Sequence, residues 1–167
     1  MRLILSDTNI ENLEKDLANK NIYFNLDRKK ITTCIGCFGC WVKTPSKCIM
    51  RDDAIEIYKY LAKSDKVIYI SKIKYGSYDT IMKTFLERSI PIQQAFIRLH
   101  NGETHHVQRN NIAKEAVIIA YGYNSEEEKT IFSKLIDRNA HNMNFKKHKV
   151  IFTSKEELNS IVKREVV

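Results

Sequence analysis

Short apolar runs recur along the chain, and most are separated by longer segments whose apolar residues return every three or four positions. Runs of four to six residues of this kind are typical of strands buried in a sheet. They predict five strands, at Arg2–Leu5, Ile22–Asn25, Lys66–Ser71, Ala116–Tyr121 and Val150–Thr153.

The intervening segments predict amphipathic helices. Ser125 with Glu128, and Ser154 with Glu157, have the spacing of capping boxes that start the last two helices. The helices are expected over Ile10–Ala18, from Asp53 through Leu61, over Asp79–Arg88, from Ser125 through Ile136, and from Ser154 through Val162.

Strands that alternate with helices indicate a parallel sheet with helices on both faces. Right-handed crossovers and short loops then favour an α/β fold with a flavodoxin-like, doubly wound, five-stranded parallel sheet in the order 2-1-3-4-5. The 167 residues suit one domain over the whole chain, 1–167.

One segment, between Pro91 and Ala113, breaks this alternation. Asn101-Gly102 lies at its centre, and Asn-Gly is the strongest short-range signal for a β-hairpin. We therefore expect a hairpin inserted before the fourth strand. Such an insert has little core of its own, so we also expect it to lie in the contact of a homodimer.

Composition and charge narrow the class of function. The apolar fraction of 43% and charged fraction of 29% are those of a globular protein, and no apolar stretch is long enough to cross a membrane. We expect a cytoplasmic protein without a membrane anchor. The net charge of +8 is scattered, which disfavours nucleic-acid binding but suits anionic nucleotides or an acidic electron-carrier protein.

All four cysteines fall within one short segment, at Cys34, Cys37, Cys40 and Cys48. Three thiolates at two-residue intervals can hold three corners of a four-iron cluster, and the fourth can close it from downstream. Gly36 and Gly39 would supply the backbone freedom for such a wrap. Reduced structural thiols and a zinc site remain the alternatives, whereas disulfides are not expected in a reducing compartment.

The cysteine segment followed by Asp52-Asp53 resembles the flavodoxin-fold NAD(P)H-dependent flavin mononucleotide (FMN) reductases, and its compact cysteine spacing is similar to that of the iron–sulfur flavoproteins in that superfamily. The resemblance extends over most of the chain from about residue 31. It continues through Tyr75-Gly76-Ser77-Tyr78, Lys83, Glu87-Arg88, Asn101-Gly102-Glu103, His105-His106 and Arg109.

This resemblance implies an FMN at the carboxyl ends of the strands, a [4Fe–4S] cluster on the four cysteines and NAD(P)H as electron donor. The phosphate would bind in the loop after the first strand, and the flavin ring would contact the loop after the third. The expected cofactor-binding residues are Ser6, Thr8, Asn9, Ser71, Lys72, Ile73, Lys74, Tyr75, Gly76, Ser77, Tyr121 and Gly122.

The sequence departs from the family pattern at two places. The first loop, Ser6-Asp7-Thr8-Asn9, is short and lacks glycine, and Thr8 with Glu11 fits a capping box that would satisfy the helix end meant for phosphate. Lys72 stands where the family commonly has proline, although Lys72 and Lys74 could help to hold an anion. These departures keep a second hypothesis open, a non-enzymatic relative that has lost FMN and acts as a binding or metal-holding partner.

No residue is assigned an acid–base role. His105 and His106 are neighbours on a predicted strand, so they point to opposite faces, and a polar hairpin at a subunit contact accounts for both. Trp41 and Tyr75 could stack on a ring or simply pack beneath a loop.

Overall fold

A computed structural model describes residues 1–17, 21–100 and 102–166. Its eight strands are β1 (Arg2–Ser6), β2 (Asn21–Asn25), β3 (Lys66–Lys74), β4 (Ser77–Tyr78), β5 (Gln93–His100), β6 (Glu103–Gln108), β7 (Lys114–Tyr121) and β8 (Phe145–Thr153). Its six α-helices are α1 (Leu13–Asp16), α2 (Gly39–Val42), α3 (Ala54–Lys63), α4 (Thr80–Arg88), α5 (Glu126–Met143) and α6 (Leu158–Val166).

The main sheet has the order β2-β1-β3-β7-β8, and all four of these pairings are parallel. If the five long strands are numbered among themselves, this is the predicted order 2-1-3-4-5, so the fold prediction is confirmed. The short strand β4 was not predicted; it folds back antiparallel on the end of β3. The inserted hairpin forms a separate two-stranded sheet, β5-β6.

Alternate residues of the central strands supply two cores, as expected for a sheet covered on both faces. Leu3, Leu5 and Tyr69 pack towards α3, α4 and α5. Ile4, Ile68 and Ile70 pack towards α1 and α6. Both faces are therefore dry, which explains why these strands are nearly continuous apolar runs.

Two local predictions need correction. The first helix was expected over Ile10–Ala18 but covers only Leu13–Asp16; Ala18 lies outside the described residues. Its N-cap is Asn12 in the left-handed conformation, without a side-chain cap, so the Thr8–Glu11 capping box is wrong. Ile10 is buried in the core and lies outside the helix, which follows a turn at Glu11 and Asn12.

The strand β3 continues three residues beyond its predicted end. It runs to Lys74 and turns at Tyr75 and Gly76, both with positive φ, before β4 pairs back onto it. A side chain at Gly76 would come within 2.6 Å of Ile131 on α5, so glycine is required there both for conformation and for space. The segment expected to contact a flavin ring is thus a tight β-turn.

Candidate functional site

A buried carboxylate, Asp7, occupies the carboxyl ends of the central strands. Its Oδ2 accepts hydrogen bonds from the Ser71 hydroxyl at 2.8 Å and from the backbone N–H of Lys72 at 2.7 Å. Its Oδ1 accepts one from the Tyr121 hydroxyl at 2.9 Å. Burial raises the pKa of Asp7, and these three bonds oppose that rise. One side chain therefore ties the ends of β1, β3 and β7 together.

The two departures from the family pattern meet at this carboxylate. Proline has no backbone N–H, so a proline at position 72 could not donate to Asp7. Lys72 instead continues β3, in register with Tyr121 of β7. The acidic first loop and the absence of proline are thus parts of one hydrogen-bonded arrangement.

This arrangement does not fit the phosphate of FMN at the first loop. Ser6 is fully buried, and its hydroxyl is engaged with the backbone of Thr8. The helix that follows has only four residues, and the Asp7 charge would repel a dianion. The predicted phosphate-binding set of Ser6, Thr8 and Asn9 is therefore not brought together as a phosphate cradle in the described structure.

Of the remaining predicted flavin residues, Ser71, Lys72, Tyr121 and Gly122 are brought together around Asp7, and the others lie along β3 and the turn that follows it. Ser71 and Tyr121 are buried and bound to Asp7, and Ile73 is buried in the core. Tyr75 is 86% exposed at the turn, with Lys74 beside its ring. Gly122 packs against the Lys72 side chain, where an added Cβ would come within 3.0 Å. Among these predicted flavin residues, only Ser77 lines the cavity that is described below.

The four cysteines lie in one loop between β2 and α3. Cys37 is exposed, and Cys34, Cys40 and Cys48 are half-buried. Gly36 has φ +65° with open space around it, and a Cβ at Gly39 would come within 3.2 Å of the Ile49 side chain. Burial first, and then the neighbouring thiols of Cys48, Cys34 and Cys37, raise the pKa of Cys40. The glycines thus allow the loop to gather all four thiols.

A buried ion pair closes the base of this loop. Arg88, at the end of α4 and 1% exposed, donates from Nη1 at 2.6 Å and from Nη2 at 2.9 Å to the two oxygens of Asp52. Arg88 also donates to the carbonyl of Thr32 at 2.6 Å, and Asp52 accepts from the backbone N–H of Thr32 at 3.0 Å. The segments before and after the cysteines are therefore tied to α4 through one guanidinium.

The remaining Arg88 donor has no partner among the described residues. Its Nε–H is buried. Burial opposes the charged form of Arg88, but Asp52 and, after it, the Cys48 side chain raise its pKa above the ordinary value. A buried guanidinium therefore lies next to the Cys48 side chain. The site thus has both the thiols and the countercharge that a thiolate-bound metal centre needs.

A cavity of about 390 Å³ lies between the cysteine loop, α4, α5 and the base of the hairpin. Trp41 forms one wall: its indole N–H donates to the carbonyl of Gln93 at 3.1 Å, and its ring stacks with that of His106 at 4.7 Å. This size is within the range of small-molecule sites. The packing hypothesis for Trp41 thus holds for the hairpin side of its ring, while another part of it lines the cavity.

Asp7, Asp52 and Arg88 were noted in the sequence, but their hydrogen-bond and ion-pair partners were not predicted. The family resemblance includes both Asp52-Asp53 and Glu87-Arg88. The presence of an acidic and a basic residue in these two motifs was the signal from which the Asp52–Arg88 pair could have been predicted. Nothing in the sequence pairs Asp7 with Ser71, Lys72 and Tyr121, because those residues are 64 to 114 positions away.

Sequence comparison relates the chain to iron–sulfur flavoproteins. It is 37% identical over 67 residues to an iron–sulfur flavoprotein of Archaeoglobus fulgidus, a match over 40% of this chain and 30% of that protein. It is 29% identical over 109 residues to one from Methanocaldococcus jannaschii, over 65% of this chain and 50% of that protein. The chain thus spans half or less of the length of these relatives. No family model matches it.

Structural comparison gives NADH- and NAD(P)H-dependent reductases, one of them solved with FMN. An FMN-dependent NADH-azoreductase of Bacillus anthracis, solved with FMN, has a TM-score of 0.57 at 9% identity, over 99% of this chain and 94% of that one. An NAD(P)H:quinone oxidoreductase of Methanothermobacter marburgensis has a TM-score of 0.60 at 12% identity, over 99% and 94%. At these identities the likeness establishes the fold. Within the described residues, no helix is long and apolar enough to cross a membrane.

We expect Asp52→Asn to destabilise the protein by about 3 to 5 kcal/mol, because it leaves the buried Arg88 charge without its counterion. Although burial would raise the pKa of Asp52, the bonds from Arg88 and Thr32 hold it at about 2. A carboxyl whose folded pKa lies below its unfolded value stabilises above the unfolded value, near pH 4, and this contribution is lost as the pH falls towards 2.

Urea unfolding of both proteins from pH 7 to pH 2 tests this prediction. The wild type should lose about 2 kcal/mol more than the variant between pH 4 and pH 2. The control is Asp137→Asn, which removes an exposed carboxylate paired with His148 and should change stability by less than about 1 kcal/mol. Equal losses in the two variants at pH 7 would contradict the role given to the ion pair.

Proposed function

We propose that this chain, a flavodoxin-fold relative of the iron–sulfur flavoproteins, is an electron-transfer protein that holds a [4Fe–4S] cluster on Cys34, Cys37, Cys40 and Cys48. The observation that carries the proposal is that four thiols share one loop whose two ends are tied by the buried Arg88–Asp52 pair, with Arg88 next to Cys48. A bound cluster would supply one-electron transfer.

Mononuclear zinc would require the thiols to move closer together than they lie here. Among the described residues, which include all four cysteines, no three cysteine sulfurs lie within 4.8 Å of one another. Tetrahedral zinc with Zn–S bonds of about 2.3 Å would need sulfurs roughly 3.8 Å apart. A cuboidal cluster binds its four thiolates at separate irons, so it needs the wider spacing.

The surroundings of the thiols suit exchange with a protein partner. Ile35, Phe38 and Val42 are exposed side chains around the loop, and they would exclude water from a docked contact. The net charge of +8 would attract an acidic electron carrier. We further propose a cytoplasmic location, because four free thiols persist in reducing compartments.

FMN and NAD(P)H belong to the proposal less directly. The relatives are flavoproteins, and the neighbours in fold include FMN- and NAD(P)H-dependent enzymes. The Asp7 network, however, fills the strand ends where the phosphate was expected. We propose that this chain alone binds FMN weakly and that the flavin with which it exchanges electrons is reduced by NAD(P)H.

A second candidate function follows from Asp7 itself. In this alternative, the hydrogen bonds of Asp7 close the strand ends to FMN. The chain has then lost FMN and acts as a metal-holding or binding partner without flavin chemistry. The triple hydrogen bonding of Asp7 favours this alternative.

We also propose a homodimer through the hairpin. Phe96, Ile97 and Leu99 of β5 are 72%, 64% and 78% exposed. The strand β5 pairs only with β6 among the described strands, so its other edge is free. An isolated two-stranded sheet with an apolar edge is marginal in water, and a second copy related by a twofold axis would cover it.

The cluster is tested by Cys37→Ser. The anaerobically reconstituted wild type should contain about four irons and four sulfides per chain, with a broad visible absorption that bleaches on reduction. Cys37→Ser should lose the cluster because the chain has no other cysteine to replace it. Lys43→Ser, in the same loop, should retain it. Substoichiometric iron together with four reactive thiols in the wild type would show that the loop is structural.

Flavin binding is tested by Asp7→Asn. Asparagine keeps acceptor and donor groups at the strand ends but removes the charge, so FMN affinity should rise about tenfold or more over a weak wild type. Asp65→Asn, at the other end of β3, should leave the affinity unchanged. Fluorescence titration with FMN measures both. If neither wild type nor Asp7→Asn saturates, the second candidate function is correct; tight binding that is equal in both would contradict the blocking role of Asp7.

The dimer is tested by light scattering. The wild type should have twice the 19.6 kDa mass of the chain. Phe96→Lys with Leu99→Lys should give a monomer because two charges would be placed in the contact. Val42→Lys changes an equally exposed apolar residue outside the hairpin and should leave the dimer intact. A wild-type mass near that of one chain at all concentrations would exclude this contact.

A further inference from the structure

Three side chains outside the cysteine loop converge at the junction of the hairpin and α5. Glu103 and His105 lie on β6, and His141 lies in the last turn of α5. One ligand atom from each lies within 4.8 Å of the others. We propose that Glu103, His105 and His141 bind a divalent transition-metal cation of the zinc type, which fastens the hairpin to α5.

Two of the ligand–ligand distances are close to the edge of a tetrahedral site. The Oε2 atom of Glu103 is 3.0 Å from Nε2 of His105 and 3.3 Å from Nδ1 of His141. Two ligands on one zinc, each about 2.0 to 2.1 Å from the metal, lie roughly 3.4 Å apart. Only small movements would therefore admit the cation, and a water can complete the tetrahedron because Glu103 and His141 are about one-third exposed.

The bond on the other side of the His105 ring favours a cation. Nδ1 of His105 is 3.0 Å from the side-chain oxygen of Asn142, and Nε2 is 3.0 Å from Oε2 of Glu103. When Asn142 accepts from Nδ1–H, Nε2 presents a lone pair to the Glu103 carboxylate, and a cation between the two would satisfy both acceptors. A third ligand, His141, at the same carboxylate oxygen favours the metal.

Outer contacts orient the ligands as they do in known metal sites. Asn142 orients the ring of His105, which is 9% exposed. Arg138 donates to Oε1 of Glu103 and leaves Oε2 for the two imidazoles. The carbonyl end of α5 also favours a cation at this position.

The backbone around the site is already held in place. Gln93 of β5 and Gln108 of β6 both donate their side-chain amides to the carbonyl of Asn142, at 2.6 and 3.0 Å. Both hairpin strands thus dock on the turn that carries His141. Because His106 follows His105 and stacks on Trp41, a metal here would also steady the wall of the cavity beside the cysteine loop. Metal binding by Glu103, His105 and His141 does not require an iron–sulfur cluster on the four cysteines.

Histidine-ring nitrogen NMR of the full-length chain tests this site, because the cysteines do not contribute to these signals. Zinc chloride added to protein dialysed against EDTA should shift the His105 and His141 signals with saturation by two equivalents, because the four thiols can take up one zinc ion, whereas magnesium chloride should leave the signals unchanged. His148, paired with Asp137 at 2.8 Å, is a histidine–carboxylate pair without a third ligand, and its signal should not move.

Variants distinguish a metal site from a buried ion pair. His141→Gln, on the helix surface, and Glu103→Gln should abolish the zinc-dependent shift of His105, whereas His148→Gln should leave it intact. Asn142→Ala should weaken binding about 10- to 100-fold, since it removes only the orienting contact. Unchanged His105 and His141 signals in excess zinc, or equal zinc affinity in the correctly folded His141→Gln variant, would show a hydrogen-bonded ion pair only and overturn the proposal.

Discussion

The buried pair of Arg88 and Asp52 is the interaction on which the cysteine loop depends. A guanidinium that is 1% exposed carries a desolvation cost that only a bidentate partner and further acceptors can offset. Asp52 and the carbonyl of Thr32 supply these acceptors, and they flank the cysteines on both sides. Among the described residues, the loop pairs with no strand of a sheet and contains one short helix, α2. Its position is therefore fixed through charge and hydrogen bonds rather than through an apolar core.

A second carboxylate sets the character of the strand ends. In open parallel sheets, ligands bind where the strands terminate, because loops diverge there and leave a crevice. Here Asp7 spans that crevice with bonds to β3 and β7. The same fold that suits a flavin is thus joined to a local network that opposes its phosphate. This contrast separates the two functions proposed above, since fold and cofactor site are decided by different residues.

The hairpin connects the cysteine loop with α5. One face of β6 presents His106 to Trp41 of the cysteine loop, while the other presents His105 to α5. The prediction that adjacent histidines point to opposite faces follows from strand geometry and describes this arrangement. The interpretation of both histidines as part of a polar hairpin at a subunit contact did not include the contact of His105 with a carboxylate and a second imidazole of the same chain.

The sequence by itself determined the order and type of the main elements, because the alternation of buried strands and amphipathic helices is a local property with few permitted topologies. It also located the four cysteines, which are neighbours along the chain. It placed the first helix wrongly and ended β3 too early, since both depend on contacts with distant residues. Only the tertiary structure decided that Asp7 closes the strand ends, that Arg88 meets Asp52, and that Glu103 and His105 meet His141. Each of these joins charged or polar groups more than 30 positions apart, and such pairings arise only when the packed sheet brings its loops together.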